Sequence, residues 1–382
     1  MGLRTGFLRL VCYPVILVST LLAITFDWAA HRSDVLRHHG EGFGDFLIFR
    51  ANAILTTHAH ALTTPAAAFL PYPPPFLLCT MPLSWLAPAT GFTIWVLTSS
   101  IGLVLVARAI KLPWPAIGLG FITQPDLFCL IMGQSGTLVS VFLLAALGLA
   151  EVQPILAGVA AGAIVIKPQF GLLIPVCYLA TRKWRATTVA AATVAGLCLL
   201  TTLCFGMGVW HSFATKHVAG AQNLMTAHWP AKFQIMMVTP FVLLRSLSAD
   251  LGVASLIQGG ISLVAAIGCW HIWRRQGLST VGRLAPTLCL VALATPYASI
   301  YDLPALGMAL AGLAFELPRR GLIALTLLFV FSAFYAVLSV YYFSTGALFL
   351  AVILLLVWPY SAPALPRVGD FGDLMLHRGQ QG

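Results

Sequence analysis

The chain has 382 residues, of which 59% are hydrophobic and only 8% are Asp, Glu, Lys or Arg. An ordinary soluble domain carries about 25% charged residues, so this composition excludes a water-soluble globular protein. The net charge of +10 invites a nucleic-acid reading, but the cations sit in short clusters between apolar runs: "TRKWR" at Thr181–Arg185, "WRRQ" at Trp273–Gln276 and "PRR" at Pro318–Arg320. Such clusters mark cytoplasmic loops of membrane proteins, and no nucleic-acid partner is expected. The apolar runs are continuous rather than alternating with period two, which excludes a β-barrel. The expected fold class is an all-α polytopic integral membrane protein.

In chain order, the first apolar run is Val11–Ala30, behind Arg4 and Arg9. It is longer than the roughly 7–15 apolar residues of a signal peptide, so it reads as an uncleaved helix with a cytoplasmic N-terminus. Residues 31–72 are then expected as a first extracytoplasmic loop. Between Tyr72 and Lys111, with Pro73–Pro75, Pro82 and Pro88, two short spans and one span behind a re-entrant segment both fit. "GVAAG", Gly158–Gly162, spaces small residues for close helix approach. With "TRKWR" inside, Ala186–Phe205 runs outward and leaves a second polar loop, 206–234, outside. Its His211, His217 and His228 lack zinc-ligand spacing. Ile235–Leu247 is short and polar-ended and reads as an interfacial helix. Ala254–Trp273 returns inward, Leu284–Leu293 goes out, Thr295–Pro304 lies outside, and the next span brings "PRR" inside. A last hairpin turns at Tyr341–Gly346. The whole is expected as one domain, 1–360, of roughly 10–12 transmembrane helices, followed by a cytoplasmic tail, 361–382, without apolar period. The eight cysteines have no CxxC or CxxH spacing and read as packing residues, with no metal site and no disulfide framework.

Charges are expensive at membrane depth, so the few acidic and basic groups away from the cytoplasmic clusters are the candidates for chemistry. They are Glu41 and Asp45 in "HHGEGFGDFLIFR" (His38–Arg50), Lys167 in "AIVIKPQFG" and Asp302 in "SIYDLP", with Asp126 in "TQPDLF" and Gln134 in "IMGQSG" at the end of another run. Asp45 reads in two ways: a loop carboxylate or N-cap of a helix beginning at Phe46, or a general base at the membrane surface. Lys167 is either a snorkelling lysine or a point charge for a lipid phosphate. Glu41 and Asp45 could share a divalent cation, but two carboxylates in a Gly-rich loop do not require one, and no firm cofactor is expected.

Six segments in order, "GDFLIFRANAIL" (Gly44–Leu55), "PYPPPFLLCTMPLSWLAP" (Pro71–Pro88), "GQSGTLVSVFLLAAL" (Gly133–Leu147), "LAGVAAGAIVIKPQFGLLIP" (Leu156–Pro175), "RKWRA" (Arg182–Ala186) and "TPYASIYDLPAL" (Thr295–Leu306), resemble glycosyltransferase family 87. These are GT-C-fold membrane enzymes that use a polyprenyl-phosphate sugar, typically mannose. The resemblance covers about Gly42–Leu306. It implies that Asp45, in the "DF" element, is the catalytic base, and that Glu41, Arg50, Tyr72, Gln134, Lys167, Tyr301 and Asp302 contact substrate. The "YPP", "GQ" and "KP" elements fall on Tyr72–Pro74, Gly133–Gln134 and Lys167–Pro168, and the "SP" element on Thr295–Pro296. Two departures stand out: Tyr301 and Asp302 occupy positions where several relatives carry histidines, and the aromatic pair after "DF" is Phe49–Arg50. The donor phosphate then falls to Lys167, Arg50 or a loop histidine. The implied activity is inverting transfer of a hexose, mannose for choice, from the polyprenyl-phosphate lipid to a glycolipid or polysaccharide-precursor acceptor. It would act on the extracytoplasmic face of a bacterial inner (plasma) membrane, with the "PYPPP" segment forming part of a groove for the lipid tail. The competing readings are a transporter or flippase of a small or lipid-linked solute, which also needs intramembrane charges and broken helices, and a scaffold that kept the fold without the activity.

Overall fold

A computed structural model describes residues 44–57, 72–332, 338–339 and 342–361, together with Val18 and Leu21. The expected first span, Glu41, the C-terminal tail and Tyr341 lie outside the described residues. The helices, in chain order, are α1 (Gly44–Thr57), α2 (Phe76–Ser84), α3 (Pro88–Ala109), α4 (Trp114–Phe121), α5 (Gln124–Met132), α6 (Gly136–Gly148), α7 (Pro154–Ala163), α8 (Ile174–Ala180), α9 (Trp184–Phe205), α10 (Gly208–Ser212), α11 (Val218–Thr226), α12 (Lys232–Ile235), α13 (Pro240–Ser246), α14 (Leu251–Arg274), α15 (Thr280–Ala294), α16 (Pro304–Leu313), α17 (Arg319–Ser332) and α18 (Gly346–Val357). The protein is a polytopic α-helical membrane protein.

Proline marks seven of these eighteen helix starts. It stands in the first two positions of α3, α4, α5, α7, α8, α13 and α16, where the missing N–H would have had no intrahelical partner anyway. Each such start also cuts an apolar run. Among the described residues, α3, α9 and α14 are the single helices long and apolar enough to cross a bilayer, with a fourth span if the pair α4 and α5, bent by 63°, counts as one. The remaining apolar helices are shorter than the ~20 residues that a hydrocarbon core requires. Among the described residues, three or four of the apolar runs are thus single helices of spanning length, and the others are divided into short, broken pieces.

Long and short helices occupy different places. Of the spanning stretches, only 22% of α3, 6% of α9 and 17% of α14 is buried within the protein, so their sides are left for lipid. In α15 every residue from Val281 to Ala294 except Arg283 is buried, and every residue of α16 is. A helix that is apolar all round belongs inside a bundle. Here α15 and α16 fill the core with α6, whose Leu143 and Leu144 are fully enclosed. Polar groups on the outer span are satisfied inward: Gln258 on α14 accepts from the Phe241 amide (3.0 Å) and donates to the Leu293 carbonyl (2.9 Å).

Two sequence expectations change in detail, and one open choice is narrowed. The region from Tyr72 to Lys111 holds one span, α3, behind the nine-residue α2. Residues 206–234 carry α10, a π turn (Phe213–His217) and α11. Ile235–Leu247 is not one interfacial helix: Val238 N donates to Ala298 O (2.9 Å) and Ile300 N to Met236 O (2.9 Å), an extended pairing, and α13 begins only at Pro240. The proline disfavours helical backbone at Thr239, whose ψ is 150°.

The small-residue spacing of "GVAAG" has its partner in α9. A Cβ on Gly158 would sit 2.6 Å from Ala186 O, and one on Gly162 would sit 2.5 Å from Thr193 Cβ. Gly162→Ala should therefore destabilise the protein by about 1–3 kcal/mol through overpacking. Gly196→Ala on α9, where nothing lies within 4 Å of the new Cβ, should be neutral or stabilising by up to ~1 kcal/mol. Thermal melts of both variants in one detergent check the contrast; equal behaviour would contradict close α7–α9 packing.

Candidate active site

The site is assembled where helices break. Lys167 separates two 3₁₀ turns, Ile164–Ile166 and Pro168–Gly171, with φ −149° and ψ 68°. Pro168 excludes helical backbone at the residue before it, which is why the chain leaves the helix at this lysine. The residue is 4% exposed, and its side chain forms an ion pair with Asp302, itself 2% exposed. Its Nζ lies 5.2 Å from the Tyr72 ring centre, 5.3 Å from that of Tyr301 and 5.7 Å from that of Phe170, so the cation is also held by aromatic faces.

Asp302 closes the 3₁₀ turn Ile300–Asp302 and accepts from the Ser299 amide (3.0 Å) through its second oxygen. The turn is clamped from both sides. One side is the pairing with residues 236–238. The other is Gly136, the first residue of α6: a Cβ there would fall 1.6 Å from the Tyr301 carbonyl oxygen. Cys129 Sγ donates to that same carbonyl (3.0 Å). The Tyr301 ring stacks on Phe128 at 5.8 Å.

Asp45 lies in the first turn of α1 rather than in a loop, so its carboxylate faces the favourable end of the helix dipole. It accepts a hydrogen bond from Gln134 Nε2. Two glycines make this approach possible. Gly44 has φ +50° and a Cβ there would meet Met132 O at 2.9 Å; Gly133 has φ +65° and a Cβ there would meet Phe46 Cβ at 2.7 Å. Both conformations are ones that side-chain-bearing residues rarely adopt. The Gly133 carbonyl in turn accepts from Trp95 Nε1 (2.9 Å).

One residue joins the two clusters. Ser135 N donates to Gln134 Oε1 (3.3 Å), and Ser135 Oγ shares a 2.7 Å hydrogen bond with Tyr72 OH. Tyr72 OH accepts from Lys167 Nζ at 3.4 Å, and the Tyr72 ring is fixed by stacking on Phe76 at 4.2 Å. A continuous polar chain thus runs Asp45–Gln134–Ser135–Tyr72–Lys167–Asp302. Beside it opens a cavity of about 910 Å³, bordered by Pro73, Pro168 and Tyr297 at the polar chain and by Ser255 and Gln258 of α14 and Asn223 of α11 farther out.

Five sequence candidates, Asp45, Gln134, Tyr72, Lys167 and Asp302, are brought into this chain, and Tyr301 flanks it. Arg50 is not: its Nη2 donates to Leu86 O (3.1 Å), away from Lys167. Asp126 is buried against Thr137 Oγ1 (3.5 Å) and is no part of the chain. His211 and His228 are exposed and line no part of the cavity; the His217 side chain lies outside the described residues. Ser135 and Tyr297 were not singled out from sequence, although Ser135 stands inside the quoted "GQSG" element. Among the described residues no group of three His, Cys, Asp or Glu side chains is arranged to hold a metal ion.

The sequence profile of glycosyltransferase family 87 matches residues 69–296, more than half of the chain. The chain belongs to glycosyltransferase family 87. It is a membrane glycosyltransferase. No characterised protein and no solved structure matches it. The matched region contains Tyr72, Gln134, Ser135 and Lys167, whereas Asp45 and Asp302 fall outside it and enter the site through geometry.

Breaking a buried ion pair from one side leaves an uncompensated charge, at a cost of about 3–5 kcal/mol. Lys167→Met and Asp302→Asn should each destabilise by that order. The double variant should lose clearly less than the sum, as read from chemical or thermal unfolding in detergent. Additive losses would show that the two groups are not coupled.

Proposed function

We propose that this glycosyltransferase moves a hexose, mannose by its family resemblance, from a polyprenyl-phosphate lipid to a glycolipid or polysaccharide-precursor acceptor, with inversion at the anomeric carbon. The observation that carries the reading is the unbroken polar chain from Asp45 to Asp302, with Pro73 and Pro168, the residues next to Tyr72 and Lys167, bordering a 910 Å³ cavity. That volume is in the range of small-molecule sites.

The chemistry needs one base and one anion holder. Asp45 takes the proton of the acceptor hydroxyl as that oxygen attacks the anomeric carbon, and Gln134 holds the carboxylate in place. The leaving group is a lipid phosphate, stable as an anion, so no strong general acid is needed, in contrast to glycoside hydrolysis. An ammonium has three donors; Lys167 gives one to Asp302 and one to Tyr72, and the third is left for the phosphate. Because Asp302 neutralises Lys167, the phosphate binds against a pre-formed ion pair and not an isolated buried cation. Tyr301 shields that pair. Arg50 gives a donor to Leu86 O and is not a member of the polar chain, so the phosphate is assigned to Lys167. Glu41 keeps a substrate-contact role through the resemblance alone. The reading requires no divalent cation.

The cation-rich ends of α9 and α14 argue for a cytoplasmic face at that end of the bundle, and therefore for an extracytoplasmic site in a bacterial inner membrane. The cavity's apolar lining from Phe213, Met225, Phe241 and Leu251 suits an isoprenoid chain entering from lipid.

Purified protein incubated with radiolabelled polyprenyl-phosphate mannose and a lipid extract of its host should transfer label to a new glycolipid. Asp45→Asn should reduce that transfer by about 10²–10⁴-fold, the usual contribution of a general base. Undiminished transfer by Asp45→Asn would remove Asp45 from this role. Label that crosses sealed vesicles without transfer would favour the transporter reading instead.

A further inference from the structure

A second cavity, of about 700 Å³, lies at the far end of the bundle from Lys167. The two cavities share α14 and α15. Leu251, Ser255 and Gln258 of α14 border the first, and Trp273 and Arg274 border the second; on α15 the order is reversed, with Arg283 at the second and Thr295, just beyond the helix, at the first. The first cavity reaches Ser262 on α14 and the second begins at Trp273, so the two linings are separated by about 17 Å along the helix.

The lining of this second cavity is unusual for the chain. Lys111, Lys183, Arg274, Arg275 and Arg283 converge on it from the ends of α3, α8, α14 and α15, with Glu151 as the lone carboxylate. Glu151 accepts from Lys183 (2.6 Å) and from Arg283 Nη1 (3.2 Å). Burial raises the Glu151 carboxyl, but those two cations outweigh it and hold the group below the ordinary carboxylate range. It stays charged at neutral pH and offsets one of the five cations. Four positive charges remain around one concave space. Arg283 is additionally fixed with its guanidinium 5.3 Å from the Trp273 ring centre, and its Nε is buried without a hydrogen-bond partner among the described residues.

Orientation in the membrane explains why cations gather at this end. It does not explain their convergence on a cavity, because exposed cations such as Arg182 and Arg185 satisfy the same bias from the surface. The floor is apolar, built by Ile110, Leu147 and Leu284. Crowded like charges are destabilising unless an anion joins them. A rim of guanidinium and ammonium groups matches phosphate oxygens.

We propose that this cavity is a second, non-catalytic site that binds a phosphate group, carried by an anionic phospholipid head group or by a soluble phosphate. The bound anion ties the ends of α3, α8, α14 and α15 together at the pole opposite the transferase site.

The test uses the full chain in detergent with two probes. Native mass spectrometry measures retention of phosphatidylglycerol against phosphatidylcholine, and calorimetry measures binding of inorganic phosphate. Three variants each remove one positive charge. Arg274→Gln and Lys111→Asn act at the cavity; asparagine suits the left-handed backbone of Lys111, φ +66°. Arg185→Gln acts on an exposed cation at the same pole that does not border the cavity. Each cavity variant should weaken binding about fivefold, the usual effect of one cation near an anionic head group, and Arg185→Gln should not. That pattern with phosphatidylglycerol alone identifies a lipid head group, and with inorganic phosphate a soluble ligand. Binding of neither probe, or an equal loss in Arg185→Gln, overturns the proposal.

Discussion

The buried pair of Lys167 and Asp302 is the constraint around which this site is organised. Either charge alone would be several kcal/mol too costly at membrane depth. Together they are tolerable only if held in contact, and three distant parts of the chain hold them. The Lys167–Pro168 break turns the lysine out of helical backbone. The Ser299–Asp302 turn offers the carboxylate while using its second oxygen internally. Residues 236–238 and Gly136 grip that turn from either side. Tyr72, Phe170 and Tyr301 then enclose the ammonium, and Pro168, the residue after the lysine, borders the neighbouring cavity.

That arrangement accounts for the division between long and short helices. A span crosses the bilayer as one uninterrupted element, because any break exposes backbone groups to lipid. Breaks are allowed where protein surrounds them. The unbroken helices α3, α9 and α14 therefore stand at the periphery, and the broken ones supply the site: Lys167 from the gap between α7 and α8, Gln134 from the turn between α5 and α6, Asp302 from the turn before α16. The polar chain from Asp45 to Asp302 runs through the interruptions.

Much of the class was legible from composition, since a chain with 8% charged residues has no other solvent than lipid for most of its surface. The local chemistry was legible too: "KP" as a break bearing a cation, and "GQ" as a polar turn at the end of an apolar run. What sequence did not reveal was non-local. Nothing near Gly136 announces that its missing side chain makes room for the carbonyl of Tyr301, and nothing near Ser135 announces Tyr72. Arg50 looked like a phosphate partner because a cation beside a "DF" element invites that role; its helix turns it instead to the Leu86 carbonyl. Which apolar runs lie inside the bundle was hidden for a related reason. An apolar run tells how much surface must be hidden, not whether lipid or neighbouring helices hide it, and α15 and α16 are hidden by neighbours.

The most direct test of the account is an experimental structure of the protein with a non-transferable polyprenyl-phosphate sugar analogue. The account predicts the donor phosphate within hydrogen-bonding distance of Lys167 Nζ, the isoprenoid chain along the cavity between α11 and α14, and the anomeric carbon facing Asp45. A donor phosphate bound away from Lys167, with the Lys167–Asp302 pair closed off from it, would contradict the account.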